Sequence, residues 1–285
     1  MSPRRLAIPL ALLGGLCWGN APASAQDNPY RRDTLQVAFL DVGQADAILI
    51  RLGRRAVLVD ASRGDDIVQY LEEAGIDSLV AAIVSHNHDD HIGGMDAVLA
   101  SYPVALYLSN GRPPLNGNGA NVEAIIAERG IPHPSPPWAP IILGDVRITV
   151  RPSPLPDSQA SENNSSLAVL VERGRFKALM TGDSEKEELA AWLKMWKVPD
   201  LDVLKAAHHG SYDGVIPGWL FATKPEVVVI SVGANNAYGH PHRWALRYYA
   251  LAKRRVFRTD RDGTVLISVD AEGRYDVRTM GAITR

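Results

Sequence analysis

Cysteine is almost absent: Cys17 is the only one in 285 residues, and it falls in a stretch that reads as a removable leader. Arg4 and Arg5 precede a short apolar run, Leu6 to Trp18, followed by small residues at Ala23 and Ala25. That is the layout of a secretory signal peptide, with cleavage expected after Ala25. The run is too short to span a bilayer, which takes ~20 apolar residues. Pro9, Gly14 and Gly15 argue against a buried helix there. Leu16 before Cys17 is unlike a lipid-attachment site, so no stable membrane anchor is expected. Residues 26–285 then hold no thiol, which excludes disulfides and thiolate ligands. Any metal site must be built from His, Asp, Glu or Asn.

Basic excess is lacking too. Losing Arg4 and Arg5 takes Lys plus Arg from 30 to 28 against 32 acids, a net charge of −4. A globally cationic nucleic-acid binder is therefore not indicated. One basic cluster, Lys253, Arg254, Arg255, Arg258 and Arg261, reads equally well as solvated surface. There is no internal repeat and no low-complexity tract. With 46% hydrophobic and 22% charged residues, the rest is a globular chain.

What is present is order. Apolar, β-branched runs at 34–42, 46–52, 54–62, 79–86 and 103–110 predict strands. Their near-continuous apolar character predicts cover on both faces. Helical spacing marks 65–75 and 95–101. Residues 111–119 and 132–140 are rich in Pro and Gly and read as loops, the latter a candidate site wall. Strands resume at 141–152, a hairpin-like pair follows across Gly174, and 184–196 is helical with Ser184 as N-cap and Glu187 three residues on. Residues 201–211 and 225–233 read as strands, 242–255 as a helix, and short strands close the chain. Alternating strands and helices with hairpin neighbours predict an α/β fold with mixed sheets. Asp60, His86, Asp183 and His209 all fall at predicted strand ends, where such folds place sites.

The densest chemistry is SHNHDDHIGG, Ser85 to Gly94, which holds three of the eight histidines. Residues two apart on a loop can aim at one ion and adjacent residues at different ions. His86 and His88 can therefore share one metal, and Asp90 and His91 can serve a second. Imidazole with carboxylate suits zinc, manganese or iron, and paired metals ~3.5–4 Å apart are a recurring hydrolytic device. Asp183 could bridge the two ions. Of His208 and His209, strand alternation lets only one face the metals.

HxHxDH at His86–His91 resembles the signature of the metallo-β-lactamase superfamily. FLDVGQADAILI, VLVDAS, NNSSLAVLV, MTGD, LKAAHHGS, SVGANNAYGHPH and RTDRDG narrow this to the β-lactamase-like, nuclease-type domain of competence DNA-uptake proteins (ComEC type). Phosphorylcholine esterases of bacterial surfaces are more distantly similar. The resemblance covers about Thr34 to Val269. It implies an αββα four-layer sandwich with two mixed β-sheets over 26–285, binding two divalent ions, Zn or Mn. It implies His86 and His88 on the first metal, Asp90, His91 and His209 on the second, and Asp183 between them. Asp60 would orient a ligand histidine. His240, Asn163 and Ser166 would face substrate, with His240 as proton donor and Asp90 as ligand and water-orienting catalytic group. The implied activity is phosphodiester hydrolysis, with DNA a candidate substrate, by an exported enzyme of the periplasm or exterior that needs no protein partner. A phosphorylcholine esterase, a lactamase or lactonase, and an inactive metal-binding module are the alternatives.

Two departures stand out. NNSS occupies the region where many members carry a further histidine ligand, leaving the first metal more open. Ala45 replaces a family glycine, which would strain the turn if positive φ were needed there.

Overall fold

Strands form where the chain must bury apolar side chains on both faces. Val57 and Val59 of one strand face a core between two sheets, while the intervening Ala56 and Leu58 face a core under helices. That is why the runs are continuous rather than alternating. The structure, a computed structural model, describes residues 33–281. The expected leader, residues 1–25, lies outside them.

The first half contributes β1 (Leu35–Phe39), β2 (Ala47–Leu52), β3 (Arg55–Ala61), α1 (Asp66–Glu73), β4 (Ala81–Ile83), α2 (Asp89–Ile92), α3 (Met95–Ser101), β5 (Tyr107–Leu108) and α4 (Gly117–Arg129). The second contributes β6 (Ile141–Leu143), β7 (Val146–Arg151), β8 (Ala168–Arg173), β9 (Phe176–Met180), α5 (Lys186–Met195), β10 (Val203–Lys205), α6 (Pro217–Thr223), β11 (Val227–Ile230), α7 (Arg243–Leu251), β12 (Arg255–Arg258), α8 (Thr259–Asp262), β13 (Val265–Val269) and β14 (Tyr275–Thr279).

Two seven-stranded sheets result, ordered β14-β13-β1-β2-β3-β4-β5 and β12-β11-β10-β9-β8-β7-β6. Both are mixed. In the first, β3, β4 and β5 run parallel and the rest antiparallel. In the second, β9 to β12 run parallel and β6 to β9 antiparallel. Phe39, Ile50, Val169 and Phe176 join the core between the sheets. Ile67, Val98 and Val122 from α1, α3 and α4 cover one outer face; Leu189, Leu220 and Ala245 from α5, α6 and α7 cover the other. The expected helix–sheet–sheet–helix sandwich is the observed one.

Several local readings need correction. Residues 117–129 are a helix, with Asn116 accepting from the Gly119 amide at 3.0 Å and Gly130 closing it in the left-handed region. The turn-like composition before it hides that start. Ser184 does not cap α5: Glu185 stands at the N-cap, and the Ser184 hydroxyl donates to the Thr181 carbonyl at 2.7 Å. The strand expected over 201–211 ends at Lys205, and β4 is only three residues long. Gly43, not Ala45, carries the positive φ of its turn, so alanine costs no backbone strain there. Arg258 is bound to Asp260 through two bonds of 2.9 and 2.6 Å, which removes it from the free basic cluster.

Glu188 on α5 is wholly buried. Burial pushes its carboxyl up to about 8, against nearby Ser153 and Ser184 hydroxyls that act the other way. Below ~4.3 both folded and unfolded chains carry this proton. Between there and about 8 only the folded chain keeps it, so stability falls as pH rises. Glu188→Gln should remove that slope. In urea melts its advantage over wild type should grow by a few kcal/mol between pH 5 and pH 8, and an advantage independent of pH would contradict the assignment.

Candidate metal centre

Both sheets bring strand ends to one edge. From the first come Asp46 before β2, Asp60 at the end of β3 and the loop after β4. From the second come Asp183 after β9, His208 and His209 after β10, and His240 after β11. Two glycines allow the close approach. A Cβ on Gly94 would lie 2.4 Å from the carbonyl oxygens of Ala61 and Gly64, and one on Gly182 would lie 2.8 Å from Ser85 and Ser166 side-chain atoms. Gly182 also has φ +50°.

Hydrogen bonds fix the histidine rings. Asp60 accepts from the Ser85 amide at 2.7 Å and hydroxyl at 2.9 Å, and its Oδ2 lies 2.9 Å from His91 Nδ1. His209 Nδ1 donates to the Ser231 carbonyl at 2.9 Å. His86 Nδ1 lies 3.1 Å from the Ser85 hydroxyl, whose proton is committed to Asp60. In each ring Nδ1 is turned to its own partner, which leaves Nε2 facing inward, as a metal ligand requires.

Those inward-facing atoms converge. His91 Nε2 is 3.3 Å from Asp183 Oδ1, and His209 Nε2 is 3.5 Å from both Asp183 Oδ2 and Asp90 Oδ2. His86 Nε2 is 3.0 Å from His88 Nδ1. His86, His91 and Asp183 each offer a donor within 4.8 Å of the others, as do Asp90, His91 and His209. Yet His91 Nε2, His209 Nε2 and Asp183 Oδ1 are buried and have no hydrogen-bond partner among the described residues. Buried polar atoms left so are costly unless something binds them, and divalent cations fit this donor set.

Charge points the same way. Burial disfavours ionised Asp183, but His209, His91 and Lys205 outweigh it and hold the carboxyl well below its usual range. Burial also opposes ionised Asp90, overcome by the neighbouring His209 and His91. His91 is held protonated against burial by Asp183 and Asp60, a proton that a metal would displace. Burial, then His91, pushes His86 the other way.

The structure separates the remaining candidates. Asn163 lines the cavity with His88, Asp90, Asp183, His209 and His240. Ser166 does not face it: fully buried, it accepts from the Asp183 amide at 3.1 Å and lies 3.5 Å from His86 Nδ1. His208 and His209 are not on a strand, so alternation does not apply. Both adopt left-handed backbone, φ 49° and 51°, at a cost of order 1–3 kcal/mol each. His209 is buried, whereas His208 is anchored through Nδ1 on Asp213 at 3.1 Å and sits with Nε2 3.8 Å from Asp183. His240, expected as proton donor, is pushed down to about 4 by burial, then by His208, His209 and His242. It is neutral at pH 7 and offers a hydrogen bond rather than an extra proton.

Sequence reasoning missed Asp46 and Lys205. Both are wholly buried and ion-paired beneath the site. Lys205 Nζ also donates to the Gly182 carbonyl at 3.2 Å and lies 3.8 Å from Asp183 Oδ1; Asp46 lies 3.5 Å from His209 Nδ1 and 3.7 Å from His91 Nδ1. Their only signal is a lone charge at the end of an apolar run. Arg63, 3.3 Å from Asp90, was missed as well.

Comparison with known proteins agrees with this geometry. The family model described as the metallo-beta-lactamase superfamily matches residues 40–233. ComE operon protein 3 of Bacillus subtilis is 29% identical over 252 residues, covering 81% of this chain and 32% of that protein. Recombination protein 2 of Haemophilus influenzae is 29% identical over 222 residues, covering 74% and 26%. Competence protein ComA of Neisseria gonorrhoeae is 28% identical, covering 83% and 33%. The chain thus spans about a third of the length of these curated relatives. Among solved structures, the metallo-beta-lactamase fold protein YhfI of Bacillus subtilis superposes with TM-score 0.53 at 14% identity, covering 83% of this chain and 99% of that one.

Removing Lys205 should expose how much the carboxylates depend on it. In metal-free protein, Lys205→Met leaves Asp46 as an unpaired buried charge and should cost roughly 3–5 kcal/mol. Asp46→Asn combined with Lys205→Met should recover most of that in urea denaturation. A single variant as stable as wild type would contradict the pairing.

Proposed function

Because the chain belongs to the metallo-beta-lactamase superfamily, we propose that it is a metal-dependent hydrolase of phosphodiesters, with DNA as the candidate polymer. The observation that carries this reading is the set of unpartnered buried donors, His91 Nε2, His209 Nε2 and Asp183 Oδ1, at the meeting edge of the sheets. The competence and recombination names of its relatives support a nucleic-acid substrate. So does the absence of a further histidine beside Asn163 to Ser166, which leaves the first position open to substrate oxygens. The leader-like sequence of residues 1–25 would fit export to the periplasm or exterior. Among the described residues no helix is long and apolar enough to cross a membrane.

His86 and His88 would hold one divalent ion, Asp90, His91 and His209 the other, with Asp183 shared. Zinc and manganese both suit nitrogen and carboxylate donors. Such ions supply Lewis-acid chemistry and lower the pKa of water from ~15.7 towards ~7. The chain's own groups do the rest. Asp90, steadied by Arg63 at 3.3 Å, orients the attacking water. Asp60 and the Ser231 carbonyl keep His91 and His209 facing inward. His240, neutral, donates a hydrogen bond to substrate. His208, fixed by Asp213, presents Nε2 to the cavity and is the better placed donor to the leaving oxygen.

Metal-reconstituted protein offered plasmid DNA, bis-p-nitrophenyl phosphate, p-nitrophenyl phosphorylcholine and nitrocefin should cleave the diesters. His86→Ala and Asp183→Asn should each lower turnover by several orders of magnitude while circular dichroism stays unchanged. His208→Gln should slow diesters with alkyl leaving groups far more than nitrophenyl esters, which need no proton. Cleavage of nitrocefin alone would overturn the reading, and full activity in Asp183→Asn would overturn the ligand set.

A further inference from the structure

Resting on the phosphodiesterase reading, we infer that the rim of this site stacks unpaired nucleobases, so that the polymer it takes is single-stranded. The rings that lead out of the metal centre carry the inference. His209 and His240 lie near parallel, 25° apart with centroids at 6.3 Å, and Tyr238 continues the stack on His240 at 24° and 5.7 Å. A second run leaves His240 through His242 at 4.7 Å to Tyr212 at 5.6 Å. Both runs end in solvent. Tyr238 is 57% exposed and Tyr212 53%, and Tyr238 lines the same cavity as Asp90 and Asp183.

Two exposed tyrosine rings thus stand beside a charged site. An aromatic ring there has an apolar face to cover and a polar tip to leave wet, and a nucleobase covers such a face whatever its sequence. Bases in a duplex present only their edges, so a ring can stack on them only in an unpaired strand. A cation completes the rim: Lys186 Nζ lies 4.5 Å from the Tyr212 ring centroid, placed for a flanking phosphate. Arg63, drawn to Asp90, is the one Arg or Lys among the described residues that lines this cavity, and the chain's net charge is −2. Affinity for a strand must then come from rings more than from phosphates, which predicts a shallow dependence on salt.

The test uses the metal-reconstituted protein with four substrates: a short labelled single strand, the same strand in duplex, an abasic strand of equal length, and bis-p-nitrophenyl phosphate. Wild type should prefer the single strand to the duplex. Tyr238→Ala and Tyr212→Ala should each raise KM for the single strand on the order of tenfold, without a matching rise for the abasic strand. Tyr238→Phe, which keeps the ring, should retain the wild-type KM. Unchanged KM in both alanine variants, or equal losses on the abasic strand, would overturn the inference. Turnover of bis-p-nitrophenyl phosphate without single-strand preference would sink the stacking rim while leaving the phosphodiesterase standing. Turnover of neither diester at full metal occupancy would sink both.

Discussion

Four carboxylates, Asp46, Asp60, Asp90 and Asp183, crowd one edge of a double sheet with little water to screen them. Three of them are essentially inaccessible, and Asp90 is only slightly exposed. Against them the chain itself sets one buried ammonium, Lys205, and Arg63 at the rim. Charges buried in this way are stable only when paired. Lys205 neutralises one acid at the floor, and the protonated His91 compensates another in the absence of metal. The surplus that remains is what makes the centre a trap for divalent cations. The rings of His86, His91 and His209 are each held through the second nitrogen, by a serine, a carboxylate and a carbonyl.

The sandwich exists to hold that surplus in place. The first sheet's edge supplies His86, His88, Asp90 and His91 and the second's supplies Asp183 and His209, so the donor set is complete only where the two edges meet. His91 comes from the first sheet's edge and Asp183 from the second, 3.3 Å apart. The interleaved core of Phe39, Ile50, Val169 and Phe176 fixes the sheets against one another, and glycine at 182 removes a side chain that would press on Ser85 across the two edges. Left-handed backbone recurs at this edge, at Asp60, Ser62, His208 and His209, and the turn at the two histidines aims two rings at one carboxylate.

Much of this was legible because the chemistry is concentrated. Four donors within six residues, His86 to His91, can hardly be a solvated loop, and Asp183 and His209 stand at the ends of apolar runs. Long strands were readable for the same reason: both faces are covered, so apolar character is unbroken. What was hidden depends on contacts distant in sequence or on backbone turns. Asp46 and Lys205 become a pair only after folding, and each alone looks incidental. Alternation misread His208 and His209 because the chain leaves the sheet at Lys205, before reaching them. The helix at 117–129 was masked by an opening of Asn and Gly that resembles a loop but serves as a cap. Ser184 looked like a cap and instead bonds backwards to Thr181. The ordinary pKa of histidine misled for His240, whose neighbours are other histidines.

The central claim is that two divalent cations share Asp183. Anomalous diffraction from crystals of the purified protein, recorded on both sides of the zinc and manganese absorption edges, tests it most directly. The account predicts two peaks ~3.5–4 Å apart, one against His86 and His88 and the other among Asp90, His91 and His209. A single peak lodged instead among Glu185, His208 and Asp213, or no peak at all from metal-saturated protein, would contradict it.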